Sequence, residues 1–373
     1  MNTYLKELSL AGFRSYGPDL KQNCIQLNGL NIIIGANGAG KSNLISFLEM
    51  ISFMMTSSLR NYVAKQGGAQ SLLYFGSQTD QIKGELSIYD DSTGKNDQYS
   101  FALEPSATNQ LFFAKEEMLY LDNWHITPYH KDFGVGMTES GIPEATEPTI
   151  RTLKRYLEQL KVFHFNDTTI SSRIRNGGNA SDNGYLRSDG GNIAAYLYRM
   201  KENEASYPYY QRIIRHIRMV MPQFSEFYLE PDIGDGISLR WKAIGSDEVF
   251  GAHQLSDGTL RFIALTTLLM QPSDNAPMTI ILDEPEIGLH PYAVTVLAEE
   301  MRMAAKTSQL IISTQSPMLL NQFDCEDIIT ADYDPVFKRS ILRRHSRKEL
   351  NAWLDDYSLG ELWEKNVLGG LPV

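Results

Sequence analysis

A glycine-rich loop near the start of the chain constrains its fold more than any other feature. Residues 35–42 read GANGAGKS, which matches the G-x-x-x-x-G-K-[ST] pattern of a phosphate-binding loop. The mostly apolar run at residues 30–34 precedes the loop, and Leu44, Ile45 and Phe47 follow it. This order of strand, loop and helix is the context that the pattern requires, and it argues against a glycine turn without a ligand.

The loop is expected to bind a nucleotide through its backbone and two side chains. The glycines let backbone N–H groups point at phosphates, and the following helix adds the positive end of its dipole. Lys41 should reach the β- and γ-phosphates, and Ser42 should hold Mg²⁺. We therefore expect ATP and Mg²⁺ as cofactors. The expected nucleotide-binding residues here are Asn37, Gly38, Gly40, Lys41, Ser42 and Asn43.

A short apolar strand more than two hundred residues later ends in two carboxylates. Residues 279–284 read TIILDE. Mg²⁺ prefers one or two carboxylates together with phosphate oxygens, so Asp283 is expected to hold the water shell of the metal. Glu284 is placed to polarise the attacking water. Alone, the pair could be ordinary solvation of a strand end, but the loop in the same chain favours a catalytic site.

The segment EPEIGLHP that begins with Glu284 reads as a turn leading into a helix. Pro285 and Gly288 break the strand, and Pro291 can open the next helix at its first position. His290 could bind a metal, but no Cys or His has ligand spacing to it. We therefore expect a structural role for His290.

These motifs, in this order, resemble those of ABC-type ATPases of the RecF/SMC/OLD group. The opening LAGFRSY at residues 10–16 is similar to the first strand of that group, and LSDGT at residues 255–259 is similar to its signature motif. Further segments resemble stand-alone ATPases related to OLD proteins. They are EPEIGLHP, STQSP at residues 313–317, FHFNDT at residues 163–168, LRSDGGN at residues 186–192 and the ending at residues 359–370.

The resemblance implies that two ATP-binding heads form a homodimer around two ATP molecules. Ser256 and Gly258 of one head would contact the γ-phosphate bound by the other head. Arg14 would reach phosphates within its own head. Asp257 stands where the group more often has a second glycine.

The resemblance also implies roles for two glutamines. The residue after the strand at residues 308–314 senses the γ-phosphate in such ATPases and is usually His, whereas this chain has Gln315. An amide can orient water or phosphate but cannot carry a proton at neutral pH; alternatively, the segment is a capping turn before the next proline. The glutamine that contacts Mg²⁺ is expected to be Gln70, although spacing does not separate it from Gln66 or Gln78.

The predicted fold class is α/β, a P-loop NTPase of the ABC-type head class with a mixed, mostly parallel sheet and a helical insert lobe. Residues 1–120 and 242–335 would form the ATP-binding core. Residues 121–241 would form an inserted lobe of helices and loops, and residues 336–373 a C-terminal extension. The insert shows no sustained heptads, which argues against a long coiled-coil arm.

Composition limits the compartment and the partners. The 34 Lys and Arg residues against 45 Asp and Glu give a formal net charge of −11, so the whole chain does not attract nucleic acid. The cysteines, Cys24 and Cys325, form neither a disulfide framework nor a zinc pattern, which fits a reducing cytosol. The start lacks an apolar signal segment, and the apolar run at residues 262–270 is far shorter than the roughly 20 residues that span a bilayer. We expect a cytoplasmic protein that does not associate with a membrane.

Two local basic clusters leave DNA binding open. Arg212, Arg215 and His216 share roughly one helix face, and residues 338–348 hold six lysines and arginines. Such clusters can neutralise phosphates, but solvated helix faces look the same.

The sequence favours an ABC-type ATPase that dimerises around ATP and couples this switch to a partner in DNA repair or anti-phage defence. Too little chain follows residue 317 for the Toprim nuclease domain of OLD proteins, so a nuclease partner would be a separate effector protein. The alternative is a slowly hydrolysing, nucleotide-gated scaffold that holds such an effector. A third class, the cytosolic subunit of a transporter, fits the opening and EPEIGLHP segments less well.

Overall fold

The computed structural model describes residues 3–76, 78–121 and 128–371, and the chain forms two compact units. The first unit comprises Met1–Val162, Met278–Ile281 and Ile311–Val373, and the second comprises Phe163–Pro277 and Leu282–Leu310.

The first stretch of the chain, to residue 163, alternates strands with short helices. The strands are β1 (Thr3–Ala11), β2 (Cys24–Gln26), β3 (Leu30–Ile34), β4 (Ile82–Asp90), β5 (Lys95–Pro105), β6 (Leu111–Leu121), β7 (Tyr129–Asp132) and β8 (Leu160–Phe163). The helices are α1 (Lys41–Met54), α2 (Leu59–Lys65), α3 (Ala69–Leu72) and α4 (Arg151–Glu158).

The middle stretch is richer in helix. Its helices are α5 (Arg173–Asn176), α6 (Ile193–Glu202), α7 (Tyr207–Val220), α8 (Asp257–Leu269) and α9 (Pro291–Ala304). Its strands are β9 (Gly178–Asn179), β10 (Phe224–Tyr228), β11 (Gly236–Ile237), β12 (Arg240–Ala243), β13 (Val249–Gly251), β14 (Thr279–Asp283) and β15 (Gln309–Thr314). The last stretch contains α10 (Pro317–Leu320), β16 (Ile328–Asp334), β17 (Arg339–Arg344), α11 (Arg347–Leu354) and α12 (Leu359–Glu364).

An antiparallel sheet in the first unit supports the helix that follows the glycine-rich loop. Its strand order is β2, β1, β4, β5, β6, β7. Phe47 of α1 stacks on Phe101 of β5 with 6.0 Å between ring centroids, and it meets Phe13 edge-on at 5.3 Å. A Cβ at Gly84 would lie 2.5 Å from the Phe101 ring, so this glycine leaves room for the aromatic stack.

The second large sheet is mixed and carries the glycine-rich loop. Its strand order is β17, β16, β3, β15, β14, β8. Strand β16 runs parallel to β3, pairing Ile328 with Ile32 and Thr330 with Ile34, whereas β17 is antiparallel to β16. All five residues of β3 are buried, as expected for a central strand covered on both faces. The predicted α/β fold with a mixed sheet is confirmed.

The boundaries between the two units differ from those predicted at residues 120, 242 and 335. The chain passes between units within β8, β14 and β15. Strand β17 belongs to the sheet of the glycine-rich loop, although the sequence assigned residues 336–373 to an extension outside the core. Strand pairing joins segments that are far apart in sequence, and local composition does not record it.

The second unit packs helices around α8, whose residues from Leu260 to Leu269 are all buried. The inserted lobe predicted at residues 121–241 contains helices α6 and α7 and the antiparallel pair β10 and β12. Over the described ranges, none of the helices is both long enough and apolar enough to cross a membrane.

A buried carboxylate in the antiparallel sheet predicts a pH-dependent stability. Asp97 on β5 is 2% exposed, and its Oδ1 atom has no hydrogen-bond partner among the residues that the structure describes. Burial raises the pKa of Asp97 from 3.8 to about 7, although Lys95 acts in the opposite direction. The folded state therefore holds a proton that the unfolded state has released, and stability is lost as the pH rises through this range.

We predict that Asp97→Asn removes this loss. Relative to the variant, the wild-type free energy of unfolding should fall between about pH 4 and pH 7 and then level off. The total difference should be at most about 4 kcal/mol, because each pKa unit corresponds to ~1.4 kcal/mol. Chemical denaturation across this pH range measures it. Glu85→Gln, at an exposed position on β4, is the control, and parallel pH profiles for Asp97→Asn and wild type would contradict the prediction.

Candidate nucleotide site

The glycine-rich loop joins β3 to α1 in the first unit. Lys41, the first residue of α1, is 4% exposed. Its Nζ donates to the carbonyl oxygens of Gly35 at 2.6 Å and Ala36 at 3.0 Å. Ser42 is exposed and Asn43 is half-buried. The loop is thus folded around its own lysine, and Ser42 lies at the surface.

Two glycines of the loop adopt left-handed backbone angles for different reasons. Gly40 has φ 112°, and a Cβ there would lie 2.3 Å from Oγ of Ser340. Gly38 has φ 82°, and a Cβ there would meet no atom within 4 Å. Packing inside the protein requires Gly40, whereas exposed Asn37 and Gly38 border open space in which a ligand can approach the backbone.

The start of α1 fits an anionic group. Its N-cap residue, Gly40, makes no side-chain cap, and the first turn contains no acidic residue. The first N–H groups of a helix have no partner within the helix, and the dipole is positive at this end. Together with the Lys41 ammonium, these donors fit the phosphates of a nucleotide.

The turn that follows β1 packs onto this loop. Arg14 has a left-handed φ of 49°, and its guanidinium donates to Oε1 of Gln66 at 2.6 Å and to Oδ1 of Asn43 at 3.4 Å. Asn43 in turn donates to Oγ of Ser15 at 2.7 Å. The hydroxyl of Tyr16 donates to the carbonyl oxygen of Gly40 at 3.1 Å. Arg14, Ser15 and Tyr16 therefore all form hydrogen bonds with the loop or with α1. Arg14 bonds Asn43, the residue that follows Ser42.

The glutamines near this turn differ in their surroundings. Gln66, the residue that ends α2, accepts the Arg14 hydrogen bond. Gln70, which the sequence favoured as the Mg²⁺ contact, is exposed in α3, and its backbone N–H donates to Asn109. Gln78 is exposed. Within the described part of the chain, Gln66 is therefore the glutamine that contacts the Arg14 cluster.

The two predicted carboxylates lie in the second unit. Asp283 is the last residue of β14, and both Asp283 and Glu284 are half-buried. Glu284 has a left-handed φ of 47°, which is uncommon for a residue with a side chain. As predicted, Pro291 is the first residue of α9. His290 is the N-cap residue, whose Nδ1 accepts from the N–H of Tyr292 at 3.2 Å, so its structural role is confirmed.

The signature segment forms the start of α8. Ser256 is the N-cap residue, and its Oγ accepts from the N–H of Thr259 at 3.1 Å. A Cβ at Gly258 would lie 2.2 Å from the carbonyl oxygen of Gly288. The glycine therefore lets the turn after Glu284 approach the signature segment within the same unit.

Asp257 has a partner that explains its presence. Nη2 of Arg175 donates to Oδ1 of Asp257 at 2.7 Å. The same guanidinium donates to the carbonyl oxygens of Thr168 at 2.6 Å, Ala252 at 2.5 Å and Leu255 at 3.2 Å. The Arg175 hydrogen bond is the largest of the influences that lower the pKa of Asp257. Arg175 thus fixes the signature segment where a second glycine would leave it more mobile.

Arg261 is a positioning residue that the sequence reasoning missed. It lies on α8 and is 7% exposed, and burial lowers its pKa. It donates to the carbonyl oxygens of Phe165 and Asn166, each at 3.3 Å, and to that of Ile287. It therefore ties the turn after Glu284 to the segment that follows β8. The sequence signal that could have found it is a single cation within the mostly apolar sequence of α8.

Gln315 follows β15 and is half-buried. The next residue, Ser316, accepts from the N–H of Leu319 at 3.2 Å and is the N-cap residue of α10. The capping turn considered as an alternative is thus present. It involves Ser316 and leaves the role of Gln315 as a prediction.

Several residues of the two basic clusters, at residues 212–216 and 338–348, have partners. Nδ1 of His216 lies 2.9 Å from Oε1 of the buried Glu300, and the Arg212 guanidinium lies over the Tyr209 ring. Arg344 donates to the carbonyl oxygens of Gln26 and Glu326, and burial lowers its pKa to about 10. Neither cluster is a uniformly solvated row of cations.

The chain is similar to a family profile and to known proteins. A family profile described as "AAA domain, putative AbiEii toxin, Type IV TA system" matches residues 30–321. The DNA replication and repair protein RecF of Renibacterium salmoninarum is 38% identical over 84 residues. That match covers 22% of this chain and 18% of the RecF chain, so the chain spans less than a fifth of that relative.

Two solved SMC head structures share the fold. The Smc head bound to the C-terminal winged-helix domain of ScpA has a TM-score of 0.60 at 16% identity, over 94% of this chain and 99% of that chain. The Smc head with an extended coiled coil from Pyrococcus furiosus, bound to the C-terminal domain of ScpA, has a TM-score of 0.61 at 15% identity, over 95% and 99%. Since the profile covers most of the chain, the protein belongs to the AAA-domain family of that description, and it shares its α/β fold with these SMC heads.

Proposed function

We propose that this protein binds ATP with Mg²⁺, hydrolyses it, and uses the exchange between ATP-bound dimer and monomer to control a partner. The observation that carries the proposal is the start of α1, where uncapped N–H groups, the open backbone at Gly38 and the Lys41 ammonium lie together. Such a group of donors suits a triphosphate.

Ser42 and Asp283 are the proposed Mg²⁺ ligands, Ser42 directly and Asp283 through water. Bound Mg²⁺ would neutralise charge on the β- and γ-phosphates. Mg²⁺ usually binds through one or two carboxylates together with phosphate oxygens, so few protein ligands are needed. The sequence named Gln70 as the further contact, but the bond between Gln66 and Arg14 favours Gln66.

Glu284 is the proposed base that orients the attacking water, and Gln315 is proposed to orient water or the γ-phosphate. The left-handed backbone of Glu284 supports this role, because strained conformations cluster at functional sites. Gln315 cannot carry a proton at neutral pH. It therefore also favours the second candidate, a scaffold that hydrolyses ATP slowly and holds an effector.

ATP-dependent dimerisation is proposed to use Ser256 and Gly258 of one head against the γ-phosphate bound by the other. Ser256 is exposed at the start of a 13-residue helix, and Arg175 holds the segment in place. A preorganised segment pays little ordering entropy when it meets a partner.

The partner is proposed to be a separate effector, such as a nuclease, in DNA repair or anti-phage defence, with the protein in the cytoplasm. The RecF match and the family description support this choice of processes. DNA as a direct ligand has weaker support, because the net charge is −11 and many of the basic side chains are engaged.

Replacing Lys41 tests the nucleotide site itself. Lys41→Ala should abolish measurable ATP binding, because it removes the loop charge that meets the β- and γ-phosphates. Calorimetric titration with ATP and Mg²⁺ measures this. Lys65→Ala, on α2, is the control and should bind as wild type does. Unchanged affinity in Lys41→Ala would refute ATP binding at this loop.

Replacing Glu284 separates hydrolysis from binding. Glu284→Gln should keep ATP affinity and lower turnover at least a hundredfold, because general-base catalysis contributes about 10²–10⁴-fold. Phosphate release measures turnover, and Glu286→Gln in the same turn is the matched control. Wild-type turnover in Glu284→Gln would exclude this residue as the base, and very slow turnover in the wild type itself would favour the scaffold.

Replacing Ser256 tests head-to-head closure. Ser256→Arg should leave the ATP affinity of the monomer nearly intact and prevent ATP-dependent dimerisation, because a bulky cation would occupy the place of the partner's γ-phosphate. Light scattering with and without ATP measures the dimer. Ser346→Arg removes the corresponding cap of α11 and should dimerise normally. Normal dimerisation of Ser256→Arg would contradict the signature's role.

A further inference from the structure

A cavity beside the glycine-rich loop lies next to the proposed phosphate site. It has a volume of about 280 Å³ and lies wholly within the first unit. Its walls are residues 36–39 of the loop, Tyr333 and Pro335 at the end of β16, and Gly370 and Leu371 near the C-terminus. The two ends of the chain therefore build one cavity.

The C-terminal segment is bonded to the loop. The N–H of Ala36 donates to the carbonyl oxygen of Gly370 at 2.5 Å, and the N–H of Gly370 donates to Oδ1 of Asp332. Gly370 has φ 81°, and a Cβ there would lie 3.2 Å from Cα of Gly35. Close approach of two backbones therefore requires glycine, and the segment is held against the loop.

Helix α12 anchors this segment to the rest of the first unit. The N–H of Gly360 donates to Oδ1 of Asn321 at 2.6 Å, and a Cβ at Gly360 would lie 2.9 Å from the carbonyl oxygen of Pro317. Leu362 of α12 and Leu368 after it are fully or almost fully buried. The cavity wall at Gly370 and Leu371 is thus built on a packed helix.

The sheet places Tyr333 at the same edge as the loop. Strand β16 pairs in parallel with β3 up to Thr330 opposite Ile34, the last residue before the loop. Tyr333 lies three residues beyond Thr330, and it is 39% exposed. Its ring is therefore accessible beside the phosphate-binding backbone.

The chemistry of the lining suits a flat, uncharged ring. The eight lining residues include an aromatic phenol, a proline and a leucine, and none of them is charged. Phosphate groups would find no cation there, whereas a nucleobase could stack on the tyrosine ring. Stacking on aromatic side chains is a common way to hold bases and tolerates different bases.

We propose that this cavity receives the base of the nucleotide, stacked on Tyr333, and that residues 369–371 form one wall of the nucleotide site. This proposal rests on the proposed ATP binding, because the glycine-rich loop would hold the phosphates of the same molecule. It gives the C-terminal segment a role in ligand recognition.

The test compares two ligands that share phosphates but differ in the base. Calorimetric titrations would use ATP and inorganic tripolyphosphate, each with Mg²⁺, on the full chain. Tyr333→Ala should weaken ATP binding about tenfold, within the range that base stacking gives, and should leave tripolyphosphate binding unchanged. Tyr333→Phe keeps the ring and should bind ATP as wild type does.

Two further variants check the geometry. Phe337→Ala removes an exposed aromatic ring four residues away that does not line the cavity, and it should leave ATP affinity unchanged. Gly370→Ala adds a Cβ against Gly35 and should lower the preference for ATP over tripolyphosphate. Thermal denaturation of each variant verifies that it is folded.

The outcomes separate this proposal from the proposed function. Wild-type protein that binds ATP and tripolyphosphate with equal affinity has a phosphate site and no base site, which overturns the proposal alone. The same conclusion follows if Tyr333→Ala binds ATP with wild-type affinity, or if its affinities for ATP and tripolyphosphate fall by the same factor. Wild-type protein that binds neither ligand overturns ATP binding and the base site together.

Discussion

The nucleotide site depends on the left-handed backbone of Gly40, where the loop becomes a helix. This conformation brings the loop so close to Ser340 that no other residue fits. Ser340 donates to Ser15 at 2.7 Å, and Tyr16 donates to the carbonyl oxygen of Gly40. The start of α1 is thereby fixed by the turn that follows β1 and by strand β17, which are far apart in sequence. Packing thus holds the proposed phosphate donors in place.

Backbone strain coincides with the proposed chemistry. Among the described residues, eight residues other than glycine have positive φ, and Arg14 and Glu284 are two of them. Each such conformation costs on the order of 1–3 kcal/mol and persists when the surrounding structure enforces it. Hydrogen bonds to Asn43 and Gln66 hold Arg14, and the turn between β14 and α9 holds Glu284.

The second unit uses arginines bonded to backbone carbonyls to hold its own functional turns. Arg175 bonds three carbonyl oxygens and one carboxylate, and Arg261 bonds three carbonyl oxygens. A guanidinium offers five donors in a fixed plane, so one side chain can join several loop segments. The signature segment and the turn after Glu284 are therefore positioned within one unit. The carboxylate of Asp257 becomes part of this arrangement.

The sequence by itself determined the glycine-rich loop, the carboxylate pair, the α/β class and the helices that begin at Lys41 and Pro291, because each is written in contiguous residues with a strong local pattern. Tertiary structure alone decided which distant segments meet. It paired β16 with β3, brought Gln66 instead of Gln70 to Arg14, gave His216 a buried carboxylate partner, and placed Gly370 on the loop. Hydrogen bonds between residues up to 334 positions apart leave no periodicity in the sequence, and each depends on the packing of the whole unit around it.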